Sequence, residues 1–194
     1  MFLVKAGTII LVVVVLLVLL LVFWIVKAYN GLVVMRNRVK NSWSQIDVQL
    51  QRRFDLIPNL VETVKSYATH EKDIFGAFAK ARTMFESAKA EGNVQGMAQA
   101  NESLGTTLGR LMVVQESYPE LKADASFNKM MADLKETEDK IAYTRQFYND
   151  SVLQYNNKRE VFPTVIIANL FSFKEAEYFK IAEGAKEAPK VKFN

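Results

Sequence analysis

The sequence predicts an all-α protein, in which an N-terminal transmembrane helix is followed by an elongated antiparallel bundle of about four helices. Near the N-terminus of the 194-residue chain, the stretch from Ala6 to Val26 carries no charge. Apolar residues then recur at spacings of three, four and seven, and no stretch alternates with period two for long enough to predict a strand. We therefore expect a short tail at 1–5, a transmembrane helix at 6–26, a bundle at 27–163, and an apolar, aromatic arm and tail at 164–194.

The run Ala6–Val26 has the length of a membrane span. At about 1.5 Å per residue its helix is about 31 Å long, close to the ~30 Å hydrocarbon core of a bilayer. The alternative is a cleaved signal peptide, whose apolar region is usually only about 7–15 residues long and ends at small residues. Here the exit carries Phe23, Trp24 and Lys27 instead. A permanent anchor is therefore favoured.

Basic and aromatic residues on the C-terminal side of the run predict its orientation and its lipid contacts. Only Lys5 precedes the run, whereas four Lys and Arg residues follow within about 20 residues, and cytoplasmic flanks carry the excess of positive charge. We expect a cytoplasmic C-terminal domain and membrane lipid as a partner. The predicted interface residues are Trp24, Lys27, Tyr29, Arg36, Arg38 and Lys40. No nucleic-acid partner is expected, because the positive charge is confined to the region beside the span.

Four apolar stripes predict the bundle helices. The first has the spacing of a coiled-coil seam and comprises Leu32, Val39, Trp43, Ile46, Leu50, Phe54 and Ile57. The second runs from Val61 to Ala88 and ends at Gly92-Asn93; the third runs from Met97 to Leu111; the fourth runs from Phe127 to Phe162 and ends at Pro163. Pro58 separates the first two stripes. A turn between antiparallel helices is the preferred interpretation there, and a kinked continuous helix is the alternative.

The anchor and the first bundle helix are predicted to form one continuous helix, from about Ala6 to Ile57. No proline interrupts this stretch, and one interior glycine, Gly31, costs only about 1 kcal/mol relative to alanine. A hinge at the turn-prone pair Asn30-Gly31 is the alternative.

Composition argues against several kinds of catalytic site. The chain has no cysteine and one histidine, His70, so we expect no disulfide, no metal site and no cofactor. His70 is expected to be solvated or to cap a helix. No catalytic residue is assigned, and the protein is not expected to be an enzyme.

Charged residues near core-facing positions predict a polar layer. Its expected members are Asp47, Arg52, Arg53, Glu138 and Arg145. Buried charges need partners, and such a layer can fix the register of helices. The Tyr148-Asn149 and Tyr155-Asn156 pairs also recur on one helix face, seven residues apart. A structural layer is the preferred hypothesis, and a binding cleft for a polar ligand is the alternative.

The apolar segment Val165–Phe173 is too short to cross a bilayer as a helix. Three uses remain open: packing on its own bundle, docking on a neighbouring subunit, or lying in the lipid interface. The residues expected to support assembly are Phe171, Phe173, Tyr178 and Phe179. We therefore expect the protein to form homo-oligomers, and an unidentified protein is a second expected partner.

Six segments after the anchor together carry a resemblance to a known family: YNGLVVMRNRVKNSWSQIDVQLQRRFDLIPNLVETVKSYATHE (Tyr29–Glu71), GRL (Gly109–Leu111), SYPELKA (Ser117–Ala123), IAYTRQFYNDSVLQYN (Ile141–Asn156), VFPTVIIANLFSFKEAEYF (Val161–Phe179) and EAPKVKF (Glu187–Phe193). The resemblance is to the LemA family of bacterial membrane proteins. It implies one N-terminal span in the bacterial inner membrane, an antiparallel helical domain and no established catalytic activity. We therefore expect a non-enzymatic interaction or assembly module of unknown physiological role. The alternative is an enzyme or small-ligand receptor built around Glu138 and Arg145.

Overall fold

A computed structural model describes residues 2–180 of the chain, with side chains from Ile10 onward. The helices are α1 (Phe2–Asp55), α2 (Ile57–Lys65), α3 (Lys72–Glu91), α4 (Val94–Val114), α5 (Pro119–Ala123), α6 (Ala125–Glu160) and α7 (Thr164–Leu170), with a 3₁₀ turn at Gln115–Ser117. Within residues 2–180 no strand is found. The predicted all-α class, with a long apolar N-terminal helix followed by several helices packed together, is confirmed.

The described chain divides into two compact units. The first combines the chain up to Asn41 with Asp150–Ala176, and the second combines Ser42–Asn149 with the segment that begins at Glu177. Helices α1 and α6 each contribute residues to both units. Hydrophobic patterning along the sequence does not reveal this division.

The apolar side chains in the N-terminal part of α1 are exposed. Every large apolar residue from Ile10 to Phe23 is about half exposed or more, and the helix is long and apolar enough to cross a membrane. It continues through Asn30-Gly31 without a break and ends at Asp55. The predicted continuity is confirmed, and the hinge alternative is wrong.

In the first unit, α1 packs antiparallel to the end of α6. Arg38 donates a 3.3 Å hydrogen bond to Gln154, while a Cβ at Gly31 would come within 3.0 Å of Lys158 Cε. Contacts nearer the start of α1 are therefore made by residues later in α6. A side chain at position 31 would require the flexible end of Lys158 to shift by a few tenths of an ångström.

The second unit has a core drawn from the last turns of α1, from α2 to α5 and from the first part of α6. Phe54 of α1 and Phe85 of α3 stack with their ring centroids 4.2 Å apart, and both side chains are almost fully buried. Helices α3 and α4 form a hairpin at the predicted Gly92-Asn93 turn. Gly92 has a φ of +65°, which glycine adopts without steric cost, and Asn93 caps α4 by accepting from Gly96 N at 2.8 Å.

Pro58 marks a kink, so the preferred antiparallel turn is wrong. Only Leu56 lies outside the helices there, and its angles remain helical at φ −74° and ψ −23°. One residue with helical angles cannot reverse the chain. Pro58 in the first turn of α2 lacks the N–H that would continue the ladder of α1, which is enough to bend the path.

The second apolar stripe is split between two helices, contrary to the single helix predicted. Helix α2 ends at Lys65 and α3 begins at Lys72. The intervening turn is held by side chains from the α5 region, since Tyr67 donates to Asp124 at 3.0 Å and Tyr118 donates to Glu71 at 3.1 Å. The stripe has no apolar residue between Ala68 and Ile74, and the helix breaks in this gap.

Candidate functional site

Arg53 is the most deeply buried charged side chain of the second unit. It is 1% exposed, donates to Asn101 Oδ1 at 2.6 Å and lies 3.4 Å from Glu138 Oε2. Burial lowers the pKa of Arg53, and Glu138 opposes that effect. Among the described residues its Nε atom has no hydrogen-bond partner. Arg53 therefore joins α1 to α4 and α6 with part of its bonding capacity unused.

A groove of about 500 Å³ opens beside Arg53. Its walls are mostly apolar and include Gly105, Leu108, Gly109, Met112, Met131, Ala132 and Leu134, with Lys135 and Glu138 among its lining residues. A Cβ added at Gly105 or Gly109 would meet nothing within 4 Å. The groove can accept an apolar group. Glu138 is already paired with Arg53, so the lining offers no ready pair of carboxylates for acid–base work.

The prediction that Glu138 lies at a core-facing position of α6 is wrong. Thr137, which is 0% exposed, takes the core position of α6 between Leu134 and Ile141, whereas the Glu138 side chain is 62% exposed. Thr137 can be buried there because its hydroxyl donates to Leu134 O at 2.7 Å. A buried glutamate carboxylate would find no free hydrogen-bond donor in its own helix. Glu138 therefore occupies the next, exposed position of α6.

The other predicted members of the layer lie apart from this site. Asp47 Oδ1 lies 3.1 Å from Lys89 Nζ, and Lys89 also donates to Gln51 at 2.8 Å, which ties α1 to α3. Arg52 is exposed. Arg145 is half-buried and makes no hydrogen bond or ion pair with the residues that the structure describes. Arg53 with Glu138, and Asp47 with Lys89, thus form two separate contacts between helices.

The Tyr-Asn pairs of α6 hold the chain that follows α7, a role the sequence did not reveal. In the second unit, Tyr148 donates to Glu177 O at 2.7 Å. Asn149 donates to Phe179 O at 3.2 Å and accepts from Phe179 N at 3.0 Å. An asparagine amide can make both bonds because it offers a donor and an acceptor side by side. The seven-residue repeat was the signal that could have identified these residues.

The second pair makes the same contacts within the first unit. Tyr155 donates to Lys174 O at 2.8 Å. Asn156 donates to Ala176 O at 2.9 Å and accepts from Ala176 N at 3.0 Å. The segment from Phe173 to Lys180 has no regular secondary structure, so these side chains supply backbone partners that a helix or sheet would otherwise provide.

The tyrosine of the first pair is held in its neutral form. Burial raises the pKa of Tyr148 to about 12, with a smaller contribution from Glu177. Burial also raises the pKa of Tyr155, against the smaller opposing effects of Arg36 and Arg159. Both hydroxyls therefore stay protonated and remain hydrogen-bond donors at neutral pH.

The predicted membrane-interface residues lie along one stretch of α1. Trp24 is half-buried, and Lys27, Tyr29, Arg36, Arg38 and Lys40 are exposed. Arg36 lies over the Phe173 ring at 5.2 Å, and Arg38 contacts Gln154 as described above. Their role at a lipid surface stays a prediction.

The predicted assembly residues fall into two groups. Phe173 and Phe179 are 6% and 1% exposed: Phe173 lies 5.6 Å from the Tyr29 ring, and Phe179 lies 6.1 Å from the Trp43 ring. These two pack within the chain. Phe171 is 49% exposed, and Tyr178 is half-buried.

His70 is exposed. Among the described residues no group of three or more His, Cys, Asp or Glu lies together in a way that could hold a metal ion.

Comparison with known proteins identifies the family. A model of the LemA family matches residues 42–193, most of the chain. The chain belongs to the LemA family. The magnetosome proteins MamQ 1 and MamQ 2 of Paramagnetospirillum magneticum are 30% identical to it over 179 residues, covering 80% of this chain and 66% of theirs. MamQ of Magnetospirillum gryphiswaldense is 28% identical over 178 residues, covering 80% and 65%.

This LemA-family chain thus spans just under two thirds of the length of the curated relatives it matches. The match begins within α1, at residue 42, and includes the Tyr-Asn pairs of α6. The single apolar N-terminal helix and the MamQ relatives fit a membrane protein.

Proposed function

We propose that this LemA-family protein is a non-enzymatic module, anchored in the bacterial inner membrane by α1, whose cytoplasmic helical domain binds partners or further copies of itself. The observation that carries the proposal is α1. Its bare apolar stretch from Ile10 to Phe23 continues without a break into the packed helical domain. An anchor that continues as a helix into packed residues holds the domain at the membrane without a flexible linker between them.

The use of polar residues inside the domain supports a structural role. Arg53 joins three helices, Lys89 joins two, and Asn149 and Asn156 hold backbone. Paired in this way, polar groups fix which helix faces meet, a recognised use of polar residues in helical cores. These contacts leave little of that charge free for chemistry.

The relatives support the membrane part of the proposal. Three of them are named magnetosome proteins. We extend to this chain only the idea of a membrane-associated protein.

Native mass measurement of the full-length protein in detergent tests assembly. We expect multiples of the 22.1 kDa chain. A monomer at every protein concentration, in detergent and in lipid nanodiscs, would contradict the proposed self-assembly.

Cysteine accessibility tests the orientation. Because the chain has no native cysteine, Phe2→Cys and Ser87→Cys each introduce a single thiol, and Ser87 is exposed on α3. In intact cells an impermeant thiol reagent should label the thiol at position 2 and leave that at position 87 unlabelled until the cells are lysed. The reverse pattern would contradict a cytoplasmic domain.

The groove beside Arg53 favours a second candidate, a receptor for an apolar ligand with an anionic group. Anilinonaphthalene sulfonate has this chemistry and fluoresces in apolar sites. Gly109→Leu should fill the groove and lower binding of this probe, whereas Gly76→Leu is the matched control, since Gly76 is also a helical glycine with open space around it. Equal binding by both variants would exclude the groove as the probe's site.

A further inference from the structure

The segment between α6 and the chain beyond α7 exposes a dense set of apolar side chains. Val161 is 53% exposed, Phe162 80%, Ile166 54%, Leu170 72% and Phe171 49%; we call these five residues the arm patch. Ile166 and Leu170 are four residues apart, so they share one face of α7, while Ile167 and Ala168 are buried. Helix α7 therefore buries one apolar face and exposes a second apolar face, which nothing in the described chain covers.

The arm patch lies at the end of the apolar run of α1. The ring of Phe171 is 4.9 Å from the ring of Tyr29, in an edge-on contact. Tyr29 follows Val26 by three residues, or about 4.5 Å along the helix. The polar zone of a bilayer on each side of its hydrocarbon core is about 5–8 Å deep, from a total of ~40–45 Å and a core of ~30 Å. With α1 spanning, Phe171 therefore lies inside this zone.

Other contacts place the same part of the chain at this level. Trp24 and Ile25 are half-buried, whereas the apolar side chains before them are exposed, so packing within the chain begins at the end of the span. Lys158, near the end of α6, lies against Gly31, and Val161 follows three residues later. Two contacts with α1, that of Phe171 with Tyr29 and that of Lys158 with Gly31, therefore place the arm patch beside the end of the span.

We infer that the arm patch is a second membrane contact, which lies in the lipid interface beside the exit of α1. Its composition fits, because exposed phenylalanine and leucine on and beside a short helix are typical of segments that lie in the headgroup region, and Lys27 lies two residues before Tyr29 on α1. Lipid is preferred over a second copy of the chain, since lipid is present at this depth around every anchored molecule. This inference rests on the proposed anchor. It adds a contact that fixes the rotation of α1 about its own axis.

Quenching by brominated lipid tests the inference in the full-length chain. Single cysteines are introduced at Leu170, at Ile166, at Val18 in the middle of the span, and at Leu153. Leu153 is the matched control, since it is an exposed apolar residue of the same unit. It lies beside Gln154, which contacts Arg38, twelve residues or about 18 Å beyond Val26. Each variant is labelled with bimane and reconstituted in phosphatidylcholine–phosphatidylglycerol vesicles.

Lipid brominated near the top of the acyl chain should at least halve the emission at positions 170 and 166 and leave that at position 153 unchanged. Lipid brominated deep in the chain should quench position 18. Quenching at 18 without quenching at 166 or 170 overturns the inference and leaves the anchor standing. No quenching at any position overturns the anchor, and the inference with it. A blue-shifted emission at 170 that bromine does not quench, and that disappears when the protein is diluted in lipid, assigns the patch to a second copy.

Discussion

Replacing Asn156 by alanine removes both hydrogen bonds through which α6 holds the backbone of Ala176. Asn156 is 5% exposed, and its amide spans the N–H and C=O of Ala176 at 3.0 and 2.9 Å. Each such bond contributes about 1 kcal/mol net, so the pair contributes about 2 kcal/mol. Ala176 is half-exposed, and water can therefore replace the lost partners without the larger penalty of a dry, unpaired group.

Amide hydrogen exchange at Ala176 measures the effect directly. A loss of about 2 kcal/mol corresponds to a roughly 30-fold rise in the population of the open form, and exchange should accelerate by that factor. Asn157→Ala is the matched control, because Asn157 is the exposed neighbour on the same helix. Both substitutions gain the same helix propensity, about half a kcal/mol, so the difference between them isolates the contact. Equal exchange at Ala176 in the two variants would refute the assignment of Asn156 as a backbone clamp.

Three further predictions concern α1 and its neighbours. Trp43 is half-buried, and its ring lies 5.4 Å from that of Tyr148 and 6.1 Å from that of Phe179. Trp43→Ala should therefore lower the free energy of unfolding, measured by urea titration, by about 2–3 kcal/mol, which is less than the loss at a fully buried tryptophan. A loss of only a few tenths of a kcal/mol would mean that these rings do not pack. Spin labels at Val26 and Met35 should give a narrow distance distribution near ~13–14 Å, from nine helical steps, and a broad one would reveal a hinge. Burial raises the pKa of Tyr148 to about 12. The stability that the neutral Tyr148 hydroxyl contributes is therefore complete below the unfolded pKa of about 10 and is lost as pH rises towards 12. The free energy of unfolding should fall more steeply over this pH window in the native protein than in Tyr148→Phe, and parallel curves would contradict the raised pKa.

Sequence patterns predicted the helices well where the causes are local. The run at 6–26, the stripe from Leu32 to Phe54 and the turn at Gly92-Asn93 all have local causes, namely hydrocarbon length, helical spacing and a residue that accepts a positive φ. The prediction of a single helix for the second stripe was wrong, because the break at Ser66–Glu71 is held by Asp124 and Tyr118, which are distant in sequence.

The polar candidates were harder to place for a related reason. Residues 137 and 138 both lie near the core-facing side of α6, and spacing alone does not separate them. Thr137 is inside because its hydroxyl bonds to its own helix, and Glu138 is outside because its carboxylate needs a cation from α1. The sequence identified Arg53 and Glu138 as members of a polar layer but did not show that these two side chains contact each other.

The helical class, the apolar span and the continuity of α1 all follow from the amino-acid sequence, since each depends on the order of neighbouring residues and on the period of a helix. Only the tertiary structure decided which side chains meet. The Tyr-Asn pairs hold a backbone that has no regular secondary structure, and in the apolar arm Phe173 is buried whereas Phe171 is exposed. The physical reason is that burial and hydrogen bonding depend on surfaces brought together from distant parts of the chain. A local period specifies the face of a helix but not what covers it.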